Sequence, residues 1–475
     1  MEIFLAMSSF IFPMITFPYV SRILLPKGNG KVQFATSVVS YFLIIAQLGI
    51  PKYGIRACAK VRDNKEELTR TTHELLIINL IMTVIAYLGL VIVTENIPRF
   101  QRERVLIYII SLSIFFGTIG IEWLYKGLEK YTYITIRSMI FKFVALIAMF
   151  LFIHKQEDYI KYGAITILAS SFSNIFNFFH ARKFIGTKPV GNYNLKKHLK
   201  AVVVFFAMAC ATTVYTHLDT LMLGFIKTDD DVGYYNAAVK VKSIMVAVVT
   251  SLGTVLLPRA SYYVQNGKME EFQRITKKAT NFVMLLATPL MLYFILFARN
   301  GILLLSGAKY EPSVIPMQII MPTLLLIGVS NITGIQILVP TGREKIVLYS
   351  EIAGAVVDVA INWVLIPKYA SAGAAIGTLI AEAVVLGVQV AALRKEIGYA
   401  FRSIQYGKII LALLVGTLAS FWVLLMHWGN FISLAVSSVL FFLFYGAVLL
   451  LLKEPLSKEI FQIGVDTVKH KILKK

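Results

Sequence analysis

THELLIINLIMTVIAYLGLVIVT, residues 72–94, runs for 23 residues with one charged side chain, Glu74, near its start. At 1.5 Å per residue a helix of that length reaches about 35 Å, enough to cross the ~30 Å hydrocarbon core of a bilayer. Its apolar residues do not alternate as those of a barrel strand do. In lipid each segment must satisfy its own backbone hydrogen bonds, so it is read as a transmembrane helix. Thirteen comparable stretches lie at roughly 2–22, 31–51, 105–124, 132–153, 158–180, 200–225, 234–257, 280–298, 313–339, 346–367, 371–393, 407–427 and 430–452. The expected fold class is an all-α integral membrane protein with about 14 transmembrane helices.

The basic residues alternate between the gaps. With the helix ends beside each gap included, gaps after even-numbered stretches and the C-terminal tail carry 32 Lys and Arg; gaps after odd-numbered stretches carry 12. Lys142, Lys240 and Lys242 fall inside stretches and belong to neither set. Cytoplasmic loops accumulate Lys and Arg because such residues cross a bilayer at high cost. Both termini are therefore expected in the cytoplasm.

Composition supports a membrane protein: 57% hydrophobic, 15% charged and a mean hydropathy of +0.72. The net charge of +21 would suit a nucleic-acid binder, but it sits in short loops between apolar runs and fits anionic lipid headgroups better. Cys58 and Cys210 make no disulfide framework and no CxxC spacing. The first stretch has neither a basic leader nor a small-residue cleavage site, so it is expected to remain as a helix. No P-loop, HExxH or Ser/His/Asp pattern is present, which leaves no candidate catalytic residue, resident cofactor or metal site. Work done by such a chain must draw on an ion gradient, a substrate gradient or a partner.

ARKFIGTKPVGNYNLKKHLK (181–200), with Pro189, two glycines and six Lys or Arg, reads as a cytoplasmic linker. The expected organisation is a six-helix lobe at 1–182, a linker at 183–199, a second six-helix lobe at 200–395, an extra helix pair at 406–453 and a basic tail at 454–475. The halves echo each other weakly. Gly30 is followed by Ala35 and Arg56, and Gly233 by Ala238 and Arg259, with offsets of 5 and 26 in both. Transporters built from repeats bind substrate between them.

Ionisable residues within spans cost about 2.5–3.5 kcal/mol each on insertion scales, so they carry most of the functional information. Lys142 lies near mid-depth of the fifth stretch. Lys240 and Lys242 share a depth with Asp219, so a pair between Asp219 and either lysine is geometrically allowed; a structural ion pair is the plain alternative. Asp358 and Glu382 fall near mid-depth and suit ion coupling or charge balance, with H+ or Na+ as the coupling ion. Ser170, Ser173, Asn174 and Asn177 form a polar stripe at helical spacing, either lining a cavity or joining helices. Arg22 and Arg56 lie at helix ends, where anchoring arginines are common. Together with Arg137 these cations favour an anionic cargo, since Arg and Lys pair strongly with phosphate oxygens.

FPYVSRILLPKGNGKVQFATSVVSYFLIIAQLGIPKYGIRACAKVRDNKEEL (17–68) resembles the start of Wzx-type polysaccharide and O-antigen flippases. GIEWLYKGLEKYTYITIRSMIFKFV (120–144), LDTLMLG with VGYYNAAVKV (218–241), LLPRAS (256–261) and INWVLIPKYASAGAAIGTLIAE (361–382) are similar to later parts of that family. The resemblance implies the multidrug/oligosaccharidyl-lipid/polysaccharide exporter fold, with two six-helix lobes around a central cavity. It also implies a multi-pass protein of the bacterial inner membrane that turns undecaprenyl-diphosphate-linked oligosaccharide from the inner to the outer leaflet. A polysaccharide polymerase and chain-length machinery would be its partners, beside membrane lipids. Arg22 and Arg56 match the family's PYxSR and YGIR positions and would contact the diphosphate, with Lys142, Lys240 and Lys242 completing the positive field. Asp358 stands where the family usually has Asn, and Met1 almost begins the first helix where similar chains carry a charged tail. The alternatives are a cation-coupled multidrug or small-solute antiporter on the same fold, a membrane enzyme acting on the same lipid, and a scaffold.

Overall fold

The computed structural model of the chain describes residues 2–426, 428–459 and 461–462. Two compact units divide it, Met1–Asn236 and Ala237–Lys475. This packing boundary is a different one from the charge-rich stretch 183–199. Among the described residues every regular element is a helix or helical turn.

The first unit holds α1 (Glu2–Gln47), α2 (Ile50–Lys60), α3 (Lys65–Asn96), α4 (Arg104–Ile119), α5 (Glu122–Gly127), α6 (Tyr131–Phe152), α7 (Tyr159–Ile167), α8 (Asn174–His180) and α9 (Lys196–Ile226). α1 is two helical runs broken at Leu25, whose φ is 58°. Pro26 causes the break: it has no N–H for the Arg22 carbonyl, and its ring drives the preceding residue out of the helical region. Gly49, with φ 73°, turns α1 into α2, and Pro51 follows in the first turn, where a missing N–H costs nothing. α3 starts at Asn64, whose side chain accepts from the Glu66 and Glu67 N–H groups at 3.0 and 3.2 Å.

α3 shows how the bilayer sorts side chains. Ile81, Val84, Ile85, Leu88 and Ile92 form an exposed stripe at helical spacing, while Asn79 and Thr83 are buried. Asn79 Nδ2 donates to the Ala46 carbonyl at 2.6 Å, and Thr83 meets Thr118 at 2.7 Å. Lipid tails are as apolar as leucine, so helices gain by joining polar groups and small residues and leaving branched aliphatics outside.

Residues 183–199 are tied down. Glu74, fully buried, accepts from the Asn194 N–H at 2.7 Å and lies 2.8 Å from His198 Nε2 and 2.7 Å from Lys197 Nζ. His198 Nδ1 reaches the Tyr53 hydroxyl at 2.8 Å. His73 sits between the Tyr193 hydroxyl at 3.0 Å and the Gly186 carbonyl at 3.1 Å. The stretch is thereby fastened to α2 and α3.

The division between the units falls within α10 (Asp229–Gln265), and the second unit continues with α11 (Met269–Leu296), α12 (Glu344–Leu393), α13 (Tyr406–Phe421) and α14 (Asn430–Leu451). Between α11 and α12 runs a broken span, Ala308–Ile320 and Thr323–Leu338, bent by 44°. α12 is two runs broken at Ala370, φ 49°, three residues after Pro367. α13 and α14 approach closely: a Cβ on Gly416 would stand 2.9 Å from the Phe441 carbonyl oxygen. α14 docks on α11 through Tyr445, donating to the Leu285 carbonyl at 2.9 Å, and Tyr293, donating to that of Leu434 at 3.0 Å. Arg343 holds Glu396 through two bonds of 2.9 and 2.7 Å between loops, and this keeps the Glu396 carboxyl below its ordinary range.

Ten helices among the described residues are long and apolar enough to span a membrane, eleven with the bent pair. The breaks at Leu25 and Ala370 split two of these, and Tyr159–His180 is a further, interrupted segment, so the helices are consistent with about fourteen crossings. The basic tail expected at 454–475 lies largely outside the described residues.

Removing the Glu74 carboxylate breaks a buried charged network, which typically costs about 3–5 kcal/mol. Glu74→Ala is expected to lower the melting temperature of the purified protein well below that of Glu66→Ala, a surface change, as read by thermal unfolding in detergent.

Candidate functional site

At the break in α1 two backbones meet with no side chain between them. A Cβ on Gly30 would overlap the Asp229 carbonyl oxygen, and a Cβ on Gly233 would overlap that of Pro26. The contact is reciprocal, because Pro26 precedes Gly30 by four residues and Asp229 precedes Gly233 by four. These are the two glycines that share sequence offsets, and here each meets the chain just ahead of the other. A polar rim surrounds them. Arg99 donates from Nε to the Gly224 carbonyl at 2.8 Å, pairs with Asp229 and lies 4.3 Å over the Phe34 ring. Lys31 pairs with Glu103 and lies 4.6 Å over the Tyr159 ring.

The candidate cations occupy different settings. Arg22 is exposed at the end of the first run of α1 and donates to the Pro18 carbonyl at 2.9 Å. Arg56 is exposed on α2, and Lys142 is half-buried in α6. Lys240 and Lys242 are half-buried on α10 in the second unit, whereas Asp219 belongs to the first. Arg137, five residues before Lys142, is 8% exposed, and its Nε and Nη1 have no hydrogen-bond partner among the described residues. A guanidinium so buried is an anion receptor in its chemistry, with N–H groups available to an acceptor. The sequence places it among the cations of the spans, and its burial is what the structure adds.

The polar stripe divides by depth in the packing. Ser170 is exposed within a π turn, Leu168–Phe172, and its hydroxyl donates back to the Thr166 carbonyl at 2.8 Å. Asn174 packs on Gly120, where a Cβ would lie 2.6 Å from its Cγ. Asn177, fully buried, donates to the Gly120 carbonyl at 2.8 Å. The π turn inserts a residue into the helical repeat and turns Ser170 away from the line of the two asparagines. Both asparagines thus join α8 to the joint between α4 and α5.

All three candidate carboxylates are buried. Asp219 accepts from the Tyr235 hydroxyl. Asp358 accepts from Asn362 Nδ2 at 3.1 Å, and a Cβ on Gly377 would meet Asp358 Oδ1 at 3.0 Å. Asp358 and Gly377 lie on opposite sides of the Ala370 break, so this pair staples the two arms of α12. Glu382, 5% exposed, lies on the second arm. Among the described residues no three His, Cys, Asp or Glu side chains gather as a metal site.

Comparison with known proteins adds to this geometry. The family described as polysaccharide biosynthesis protein matches residues 3–264, more than half of the chain, and the MatE family matches residues 204–364. A protein of Escherichia coli (strain K12) provisionally named an O-antigen transporter is 24% identical over 391 residues, covering 82% of this chain and 94% of that one. The fold is similar to that of the lipid II flippase MurJ in an inward closed conformation: TM-score 0.66, 17% identity, 93% of this chain and 99% of the other. It is also similar to an inward-facing multidrug resistance transporter of the MATE family and MOP superfamily: TM-score 0.64, 14% identity, 82% and 95% coverage.

Adding a methyl where backbones touch forces them apart at about 1–3 kcal/mol. Gly30→Ala and Gly233→Ala are each expected to lower the melting temperature. Gly387→Ala, with nothing within 4 Å of the new methyl, is expected to be neutral or stabilising by up to about 1 kcal/mol.

Proposed function

Since this chain belongs to the polysaccharide biosynthesis protein family, we propose that it is a flippase for polyprenyl-diphosphate-linked oligosaccharides. It would carry them from the inner to the outer leaflet of a bacterial inner membrane, with both of its own termini in the cytoplasm. The observation that carries the proposal is the set of cations within or beside the spans of a chain from this family: Arg22, Arg56, Lys142, Lys240 and Lys242, joined by Arg137. The name given to the Escherichia coli relative, whose length is 94% covered, supports the same cargo.

The physical task is to move a diphosphate and its sugars through a layer where a bare charge is costly. Arg and Lys replace the water around phosphate oxygens with charge-assisted hydrogen bonds, and the arginine fork adds bidentate geometry. The polyprenyl tail needs no such service and stays in lipid. Alternating access of two lobes would expose the cations first to one side and then to the other. The glycine contact and its Arg99–Asp229 rim would serve as a closure that parts in each cycle. Asp219, Asp358 and Glu382 are the candidates for balancing charge or binding a coupling H+ or Na+, and Ser170, Asn174 and Asn177 supply neutral polarity. No catalytic step is assigned to any residue. A polymerase and chain-length machinery would receive the product.

The antiporter alternative requires a cavity suited to organic cations, which this set of Lys and Arg disfavours. Reconstitution into proteoliposomes with a fluorescent undecaprenyl-diphosphate sugar tests the proposal directly. Wild-type protein is expected to move the probe between leaflets and to leave ethidium gradients unchanged; the reverse result would favour the antiporter. Lys142→Ala and Arg56→Ala are each expected to slow flipping about tenfold or more, the scale of one lost charged hydrogen bond, with normal insertion.

A further inference from the structure

Helices α1 and α9 run antiparallel and touch at two places. Phe34 presses on Gly224, where a Cβ would overlap its ring, and Ser37 Oγ lies 3.4 Å from His217 Nδ1. Further along, a Cβ on Gly49 would stand 2.5 Å from the Phe206 nitrogen and 2.7 Å from the Phe205 carbonyl carbon. Between those contacts the helices part and leave a pocket of about 330 Å³. This is at the small end of ligand pockets, which hold about 300–1,000 Å³. His217 and Phe205 are twelve residues apart, so the two contacts stand about 18 Å apart along α9.

Its walls are regular. Ser40, Leu43, Ile44 and Gln47 come from one face of α1, and Phe205, Ala209, Thr212 and Thr213 from one face of α9. Ser40 Oγ donates to the Thr36 carbonyl at 2.8 Å and Thr212 Oγ1 to that of Met208 at 3.1 Å. With their protons spent on the helix, both hydroxyls turn acceptor lone pairs to the pocket. Gln47 adds an acceptor and two donors, and His217 has a second ring nitrogen. The one cation among the lining residues is Lys52, exposed, with Arg56 one turn further along α2.

That inventory selects its occupant. A phosphate offers no donors to hydroxyl oxygens, and an acyl chain would offer nothing to the Gln47 amide or to the remaining lone pairs of the hydroxyls. A neutral polyol with donors and acceptors satisfies both walls, and Phe205 offers it an apolar face. We propose that the pocket between α1 and α9 is a sugar subsite, seating the first one or two neutral sugars while Lys52 and Arg56 hold the diphosphate outside it. This deepens the flippase proposal and rests on it.

The test is equilibrium binding to the purified full-length protein in detergent, with two probes. One is undecaprenyl diphosphate; the other is the same lipid carrying N-acetylglucosamine. Gln47→Leu and Thr213→Val each remove one neutral hydrogen-bonding group of nearly constant size. Each is expected to weaken the glycosylated probe about fivefold and leave the sugar-free probe unchanged. Equal weakening of both probes would mark a structural role, and no weakening of either would mean the sugars lie elsewhere; both results overturn the subsite while the flippase proposal stands. If wild-type protein binds neither probe, the flippase proposal itself fails and takes the subsite with it. Melting temperatures near wild type exclude misfolding as the cause, and Gln47→Glu, which retains an acceptor but adds negative charge, should weaken both probes by repelling the diphosphate.

Discussion

Helices in hydrocarbon gain nothing from hiding apolar surface, because the solvent is itself apolar. Every other feature of this chain follows from that constraint. Helices must be joined by something other than greasy area, and the chain uses two devices: bare backbone at glycine and hydrogen bonds between side chains and carbonyls. Gly224, Gly416 and Gly120 mark the first; Asn79, Asn177, Tyr293 and Tyr445 mark the second. Many large aliphatic side chains, Ile81, Leu88 and Ile92 among them, point outward, where a soluble protein would keep polar ones.

The same constraint explains what a reader of the sequence can see. Span lengths are set by bilayer thickness, so the apolar stretches and their basic gaps were legible with no structure in hand. The breaks at Leu25 and Ala370 fall in the gaps 23–30 and 368–370 between the apolar stretches. The interior was less legible. A serine-asparagine stripe looks the same whether it faces water or a neighbouring helix, and only the π turn at Leu168–Phe172 separates Ser170 from Asn174 and Asn177. The partners of Glu74 lie some 120 residues away, on a stretch whose proline, glycines and lysines read as loose. The pocket between α1 and α9 carried no signal, since it depends on where two helices part.

Charge and neutral polarity are divided in this chain. Lys142 and Arg137 are cations set within a span, suited to meet a phosphate but not to specify a sugar. Ser40, Gln47, Thr212 and Thr213 gather on facing helix surfaces, where shape and hydrogen-bond direction would discriminate in the proposed subsite. A carrier of lipid-linked glycans needs both, because its cargo has a constant diphosphate and a variable head. Placing the two functions on different side chains lets one change without the other.

The reciprocal glycine contact has an implication for how such a chain can be altered. Its two touching surfaces are main chain, so the 20-letter alphabet offers only one letter at positions 30 and 233, and no substitution there can make a finer adjustment. The strength of the joint can be graded only at its edge, through Arg99, Asp229, Lys31 and Glu103. Both pairs are largely shielded from water, so dissolved salt screens them weakly and substitution remains the lever. The joint therefore has a centre that substitution cannot tune and a rim that it can, and variation in opening rate among engineered versions should trace to the rim.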